Sequence, residues 1–580
     1  ASNNTAVGYD SLISNTTGHS NAAVGTSALD ANTTGSYNIA LGKDALGSNT
    51  TANNNIALGK DALGSNTIAN NNIAIGFNSL LTNTTGGQNV SLGVEALKEN
   101  TTASSNTGIG FHALKLNTTG TQNVAVGSEA LGANTTADYN VAIGRSALKV
   151  NTTGEYNTAI GGLALYDSTT ASNNVAVGYL ALYENITGDL NVAVGHNALG
   201  SATAADRNVA VGHNALSSLS ATGDLYLTAV GFAALGNNTT GYQNVALGNA
   251  LSSNTTGFNS IGIGYNALAA HTTGSNNTGV GRSTQYSLQS GSHNTSLGSN
   301  TLNNSTTSYN TAIGSNALNN QTTGSYNVAV GYNAVANGNV TAANTVAVGI
   351  AAGQSLTSGS NNTFLGAGTG ADVTSGEGNV LIGRDAGREV TTGNANIAIG
   401  DEAWHKQTTG SNSIAIGKRT FYQTTTGAGV AIGYEALKNC TTGYWNTAVG
   451  QHALGAMQTN THNSAFGQEA LRNCTSSFND GFGWHAGKDI TTGSANSIWG
   501  QGAGQKITTA INNTAVGNNA LQQATTGGRN TAVGRVALCY TNGTQNTAVG
   551  HEAMNSSSGN GGHSYNTAVG SQALKAITTG

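Results

Sequence analysis

A glycine preceded by an aliphatic or aromatic residue recurs 34 times along the 580-residue chain, from Gly8 to Gly570, and 25 of the 33 intervals are 17 residues. The other intervals are five of 16 and one each of 18, 19 and 20. A short fixed period is the signature of a solenoid, in which each coil leans on its neighbours. Gly8, Gly25, Gly42, Gly59, Gly127 and Gly195 are typical of these anchors. No linker interrupts the repeat, so residues 1–580 read as one continuous array of about 34 coils.

Proline is absent, although ordinary usage near 5% would give about thirty. A stack of coils needs nearly every backbone N–H for pairing, and proline has none to give. The expected class is therefore all-β, a parallel β-solenoid with a 17-residue period.

One coil, Asn123–Asn140, shows the pattern NVAVGSEALGANTTADYN. The residue before the anchor is apolar throughout, and the residue three before it is Thr, Val or Ile in 30 of 34 coils, as at Val124. These two share one strand face, because side chains alternate along a strand. Between them stands Ala, Gly or Ser in 31 coils, as at Ala125. A face trimmed to small residues admits close approach of another backbone. Four residues after the anchor comes Leu in 23 coils, followed by an Asn-Thr-Thr-Gly turn. Four residues before the anchor stands Asn in 29 coils, as at Asn4, Asn21 and Asn38, the register of a side-chain amide ladder or of independent turn asparagines.

The repeats also contain a compensation. The Leu position becomes Gly353, Gly370, Gly387, Gly487 and Gly504, and the small position becomes large only at Phe364, Leu381 and Ile498, each between two such glycines. Volume lost at one site is replaced at the other, so both should line one cavity, within a chain or between chains. Three sizeable apolar groups per coil are a meagre core. Association through the flat alanine face, most simply of three chains about one axis, is expected.

Charged residues are only 8% of the chain and the formal charge of -5 is thinly spread, which excludes a nucleic-acid footprint or a basic membrane-binding patch. No apolar run reaches membrane-spanning length and no signal peptide is visible. Ala1 and Gly580 fall at nearly the same point of the repeat, without distinct caps, which suggests a segment of something longer or a unit that continues into a neighbour. Cys440 and Cys474 coincide in phase two coils apart, about 10 Å at strand spacing and too far to bridge, so these two and Cys539 read as turn fillers.

The strings NTAVG, NVAVG and NIAIG, at Asn4–Gly8, Asn191–Gly195 and Asn396–Gly400, resemble the head repeats of trimeric autotransporter adhesins. The longer form NTAVGxxALxxNTTGxxN is similar to shaft repeats of phage-type tail fibres. The resemblance implies a left-handed homotrimeric β-roll, extracellular, on a virion or a bacterial surface, serving attachment to a cell-surface glycan or receptor. The adhesin repeat is usually shorter than 17 residues, and a coiled-coil stalk, membrane anchor and chaperone domain are lacking here.

Chemistry on a solenoid belongs where the pattern breaks. The densest break is Arg384, Asp385, Arg388 and Glu389 on one coil, Asp401, Glu402, Trp404, His405 and Lys406 on the next, and Lys418, Arg419, Phe421 and Tyr422 on the third. Aromatic faces beside carboxylates and guanidinium groups suit a glycan, with Arg384, Asp385, Asp401, Glu402, Trp404, His405, Arg419 and Tyr422 as the candidates. Trp404 and Phe421 occupy the Leu position, which favours the core instead. Asp44 and Asp61, about 5 Å apart at strand spacing, mimic a glycosidase pair, but they are copies of one Lys-Asp string and read as a neutralised surface. His196 and His213 share phase on adjacent coils and read as an imidazole stack, and His452 and His485 lie two coils apart. Repeated Asn-Thr-Thr matches the glycosylation sequon, yet glycans at strand spacing would collide. No catalytic, cofactor or metal site is expected. The irregular coils at 213–226, 332–344 and 556–562 are expected to be local bulges.

The leading functional expectation is a non-enzymatic attachment fibre, about 160 Å long for 34 coils at strand spacing. A self-assembling extracellular filament comes second. A glycan-degrading tailspike, for which long loops and clustered acids are lacking, and an ice-binding solenoid, for which the threonines fall in turns, come behind.

Overall fold

The computed structural model describes residues 1–556 and 562–575. Among the described residues every regular element is a β-strand, and the fold is a parallel β-solenoid of about 33 turns with the 17-residue period. The chain falls into two contact units, Ala1–His293 and Asn294–Gly580. Within each, one strand of mostly three residues per coil pairs in parallel with the same strand of the next coil, as Val124–Val126 pairs with Val141–Ile143.

The remaining residues of a coil are turns, yet they are bonded to neighbouring coils as the strands are. In the coil anchored at Gly127, Val124 N–H donates to the Asn140 carbonyl (2.8 Å), Glu129 N–H to Phe111 (2.8 Å), Leu131 N–H to Ala147 (3.0 Å) and Ala133 N–H to Lys149 (2.9 Å). These bonds run in both directions along the stack, so each coil is held from above and below. That accounting is what an unsheltered backbone demands, and it explains the missing proline.

In most coils three positions besides the anchor adopt left-handed backbone, as at Glu129 (φ 59°), Leu131 (φ 49°) and Tyr139 (φ 60°). This conformation selects the residue four after the anchor. A side chain branched at Cβ is a severe outlier there, whereas Leu is tolerated and Gly is free of strain. Val335 is the exception at that position (φ 50°). The anchor itself has φ 136° at Gly127, and a Cβ there would lie 2.5 Å from the Gly144 carbonyl oxygen. Glycine is thus required by both conformation and space.

The small residue of the strand faces the interior of its own coil. Ala23, Ala125, Ala142 and Ala176 are fully buried within one chain, as are the alanines three after the anchor (Ala28, Ala130, Ala147) and the leucines beside them. The expectation that the alanine face meets other chains is overturned. A single coil is so narrow that its two walls touch across it, and only Ala, Gly or Ser fits opposite Leu. A Cβ on Gly108 would sit 3.2 Å from the Leu97 side chain. The larger residues on either side of it point outward instead, Ile39 and Leu41 being 43% and 49% exposed.

The glycine-for-leucine exchanges resolve in the same cavity. A Cβ on Gly353 or Gly370 would meet the Phe364 ring at 2.7 and 2.8 Å, one on Gly387 would meet Leu381 at 2.7 Å, and one on Gly504 would meet Ile498 at 3.0 Å. The shared volume lies within a chain. In these five coils the residue seven after the anchor is aliphatic and buried: Leu356, Val373, Val390, Ile490 and Ile507.

In most coils of the first unit that position is the Asn of Asn-Thr-Thr, and it forms a second amide column beside the first. Asn123 N–H donates to Asn106 Oδ1 (2.9 Å), and Asn123 Nδ2 to the Ala137 carbonyl (2.8 Å). Asn134 Nδ2 donates to Asn117 Oδ1 (2.8 Å) and to the same Ala137 carbonyl (3.1 Å). Both asparagines are fully buried. One carbonyl thereby closes both columns and satisfies these two buried amides, while at Asn151 and Asn254 the Oδ1 atom is buried without a partner.

The bulge at 213–226 is more ordered than expected, since Ala205–Asp206 pairs with Gly223–Asp224 as an added two-stranded ladder. Leu227 takes the Asn position there, and its N–H still donates to Asn208 Oδ1 (3.1 Å). The bulge at 332–344 tucks in a buried Val340, bridged to Gln321. The bulge at 556–562 lies mostly outside the described residues, as does Gly580.

Two outcomes test this interior. Asn123→Ala deprives the buried Asn140 N–H of its acceptor and is expected to cost about 1–3 kcal/mol in denaturant unfolding, while Tyr139→Ala, on an exposed neighbour, stays within about 0.5 kcal/mol. Gly370→Leu is expected to cost roughly 2 kcal/mol or more by overpacking, and Phe364→Ala in the same chain to recover at least ~1 kcal/mol of that loss.

Candidate functional site

The residues at 384–422 occupy the outer edge of three successive coils, one, two and five places after each anchor. Copies at one phase stack at strand spacing, so opposite charges on neighbouring coils meet. Arg384 lies 3.1 Å from Asp385, 2.7 Å from Asp401 and 3.3 Å from Glu402. Arg388 pairs with Asp385 (2.9 Å), Lys418 with Asp401 (3.4 Å) and Arg419 with Glu402 (2.7 Å). Hydrogen bonding from Arg419, chiefly, holds the Glu402 carboxyl below its usual range. The His405 ring stacks on Tyr422 at 5.3 Å, and the Arg419 guanidinium lies 5.6 Å from the Tyr422 ring centre.

The structure therefore brings seven of the eight candidates to one surface and removes the eighth. Trp404 is fully buried and Phe421 is 1% exposed, both filling the Leu position of the core. Trp404 belongs to no surface. Without it the patch has no open indole face, and Tyr422 is covered by His405 and Arg419. The array is a neutralised ion network rather than an open sugar platform.

Other candidates resolve similarly. Asp44 and Asp61 each pair with the adjacent Lys43 and Lys60, at 3.6 and 3.5 Å. His196 and His213 stack at 4.9 Å between Tyr179 and Phe232, one aromatic column along the position after the anchor. His452 pairs with Glu435 (3.4 Å) and His485 with Glu469 (3.0 Å), so they serve separate carboxylates. The sequon asparagines, such as Asn134, are buried in their column, and the following Thr135 hydroxyl donates to the Thr152 carbonyl (3.1 Å). Cys440, Cys474 and Cys539 are buried free thiols, and burial pushes Cys440 up to about 11. Among the described residues no group of three or more His, Cys, Asp and Glu is placed to hold a metal ion.

Sequence reasoning missed a recurrent device on the same edge. Glu two after an anchor bonds a cation five after it, and the next coil adds a His and often a second cation. Glu95 meets Lys98 (3.1 Å), Lys115 (2.7 Å) and His112 (3.2 Å). Glu435 meets Lys438 (2.8 Å) and His452, while Glu469 meets Arg472 (2.7 Å), His485 and Lys488. The signal was phase: aligning residues by distance from the anchor places these groups in two adjacent columns. No protein-family model matches the chain, and no curated protein matches it.

The carboxyl of Glu95 is brought down to about 2, first by the Lys115 hydrogen bond, opposed by partial burial and reinforced by Lys98. A depressed carboxylate contributes stability that is present above its unfolded value near 4.5 and lost as pH falls toward 2. Glu95→Gln is expected to cost roughly 1 kcal/mol at pH 7, allowing for solvent screening, and only a small fraction of that at pH 2. Denaturant midpoints of both chains across that range check it.

Proposed function

We propose that the chain is a structural, non-catalytic shaft for attachment at an extracellular surface, built by side-by-side association of copies of itself. The observation that carries this reading is the outward strand face. Its two positions per coil hold Val, Ile, Leu, Thr or an aromatic residue almost throughout, and the described strands place one charged residue, Asp480, among them. Val24, Leu41, Leu92, Ile143, Leu297 and Leu365 are each 37–50% exposed there.

Within each unit, an apolar face repeated on coil after coil exceeds what a lone soluble molecule ordinarily leaves in water. Its regular rise matches a second copy lying alongside, coil to coil, and closed association of such faces gives a cyclic assembly, a trimer if it follows the fibres whose repeats this chain resembles. The strings that resemble adhesin and tail-fibre repeats are the ones that build this face. The ion network at 384–422, with Arg384, Asp385, Asp401, Glu402, His405, Arg419 and Tyr422, lies on the outer edge instead, away from this face.

Mass photometry of the purified chain is expected to show an oligomer, and X-ray scattering an elongated particle. Val126→Lys with Val177→Lys, which places charge on the strip without touching the interior, is expected to give monomers with an unchanged β circular dichroism spectrum. A wild-type monomer, or a double variant that still assembles, contradicts the reading.

A further inference from the structure

The column five residues after the anchor carries cations on successive coils, and in two places a glycine interrupts it. The first run is Lys98, Lys115, Gly132, Lys149, and the second is Lys438, Gly455, Arg472, Lys488. In each, the residue after the interrupting glycine is alanine (Ala133, Ala456), so one side chain is lost and its neighbour is cut to a methyl. The result is a notch of about 260 Å³ around Gly132 and another of about 240 Å³ around Gly455. Both fall below the roughly 300–1,000 Å³ of drug-sized pockets, which makes room for a single ring.

The two notches are built alike although they lie in different units. Each has a cation on either wall: Lys115 and Lys149 in the first, Lys438 and Arg472 in the second. Each has one carboxylate and one imidazole at its back: Glu129 with His112, and Glu435 with His452. Every cation is positioned by a glutamate, Lys115 by Glu95 (2.7 Å), Lys149 by Glu129 (2.8 Å), Lys438 by Glu435 (2.8 Å) and Arg472 by Glu469 (2.7 Å). An ammonium has three donors and a guanidinium five, so those bonds leave donors for a ligand. Burial and then the Lys115 charge hold the His112 imidazole below its usual value, so it is neutral at pH 7.

We infer that each notch seats one sugar ring bearing a single carboxylate, a hexuronic or nonulosonic acid unit of a surface polysaccharide. Counting the Lys, Arg and Glu side chains, the lining groups of each notch sum to one positive charge (two cations less one carboxylate). One ligand carboxylate between the two cations cancels it, with the charge-assisted bonds that such pairs favour. Ring hydroxyls find an acceptor in Glu129 or Glu435. The apolar side of the ring lies on Leu116 and Val150 in the first notch, and Asn439 and Asn473 offer amides to hydroxyls in the second. A phosphate dianion would be left half neutralised. No Trp, Tyr or Phe lines either notch to stack a nucleobase.

The inference rests on the attachment reading and is separable from it. Gly132 and Gly455 do not have left-handed backbone, and a Cβ on either comes no closer than 3.2 Å to another atom. The same position holds Leu81 in another coil, so Gly132→Leu and Gly455→Leu fill the notches while restoring a side chain the fold already accommodates. The full chain is titrated by calorimetry with uronate- and nonulosonate-containing tetrasaccharides and with their carboxyl-reduced counterparts. The expected result is two sites per chain for an acidic member, at least tenfold weaker binding of its reduced form, one site in either single variant and none in the double. Three results overturn the inference: no acidic member binding below 10 mM (about 3 kcal/mol), equal binding of the reduced form, or undiminished binding by the double variant. If the double variant assembles and adheres to its surface as the parent does, the shaft reading stands while this inference falls.

Discussion

The structure depends on hydrogen bonds that pass from coil to coil outside the strands as well as within them. Three strand residues in a 17-residue coil could not hold a stack by themselves. The turn amides of Glu129, Leu131 and Ala133 find carbonyls on the coils above and below, and the Thr135 hydroxyl and the two asparagine columns add side-chain bonds in the same direction. A coil removed from its neighbours would leave nearly all of these groups unpaired. Cooperativity along each unit follows, as it does for nearest-neighbour repeat arrays.

That constraint also selects composition. Left-handed backbone at Leu131 and its equivalents disfavours side chains branched at Cβ, Val335 being the one exception, and Leu and Gly are its commonest occupants, so volume is exchanged between Gly370 and Phe364 rather than by a graded series of Val and Ile. The anchor glycines pack their α-carbons against the next anchor's carbonyl, so their spacing is the repeat. Where the column seven after the anchor turns from asparagine to Leu356, Val373 and Val390, the amide ladder gives way to apolar filling, and the remaining column at Asn362, Asn379 and Asn396 carries the polar bonds.

Much of this was legible in the chain. Periodicity gave the solenoid, absence of proline the continuous pairing, and the exchange at Gly353, Phe364 and Gly370 the shared cavity. The direction of the strand was not legible, because alternation distinguishes two faces without saying which is inside. Val, Ile and Thr have the composition of a core, yet a coil this narrow admits only Ala125 and its equivalents, and the larger residues are turned out. Among the site candidates, the Leu phase of Trp404 correctly signalled burial. The cation columns at Lys115 and Lys438 escaped notice because partners 17 to 20 residues apart look unrelated until residues are aligned on the anchors.

Native-state hydrogen exchange read by mass spectrometry tests the central claim most directly. The account expects the amides of the Asn-Thr-Thr turns and of the segments after each anchor to exchange as slowly as those of the strands beside them, coil after coil. Exchange of the turns within seconds, with protection confined to the three-residue strands, would contradict it.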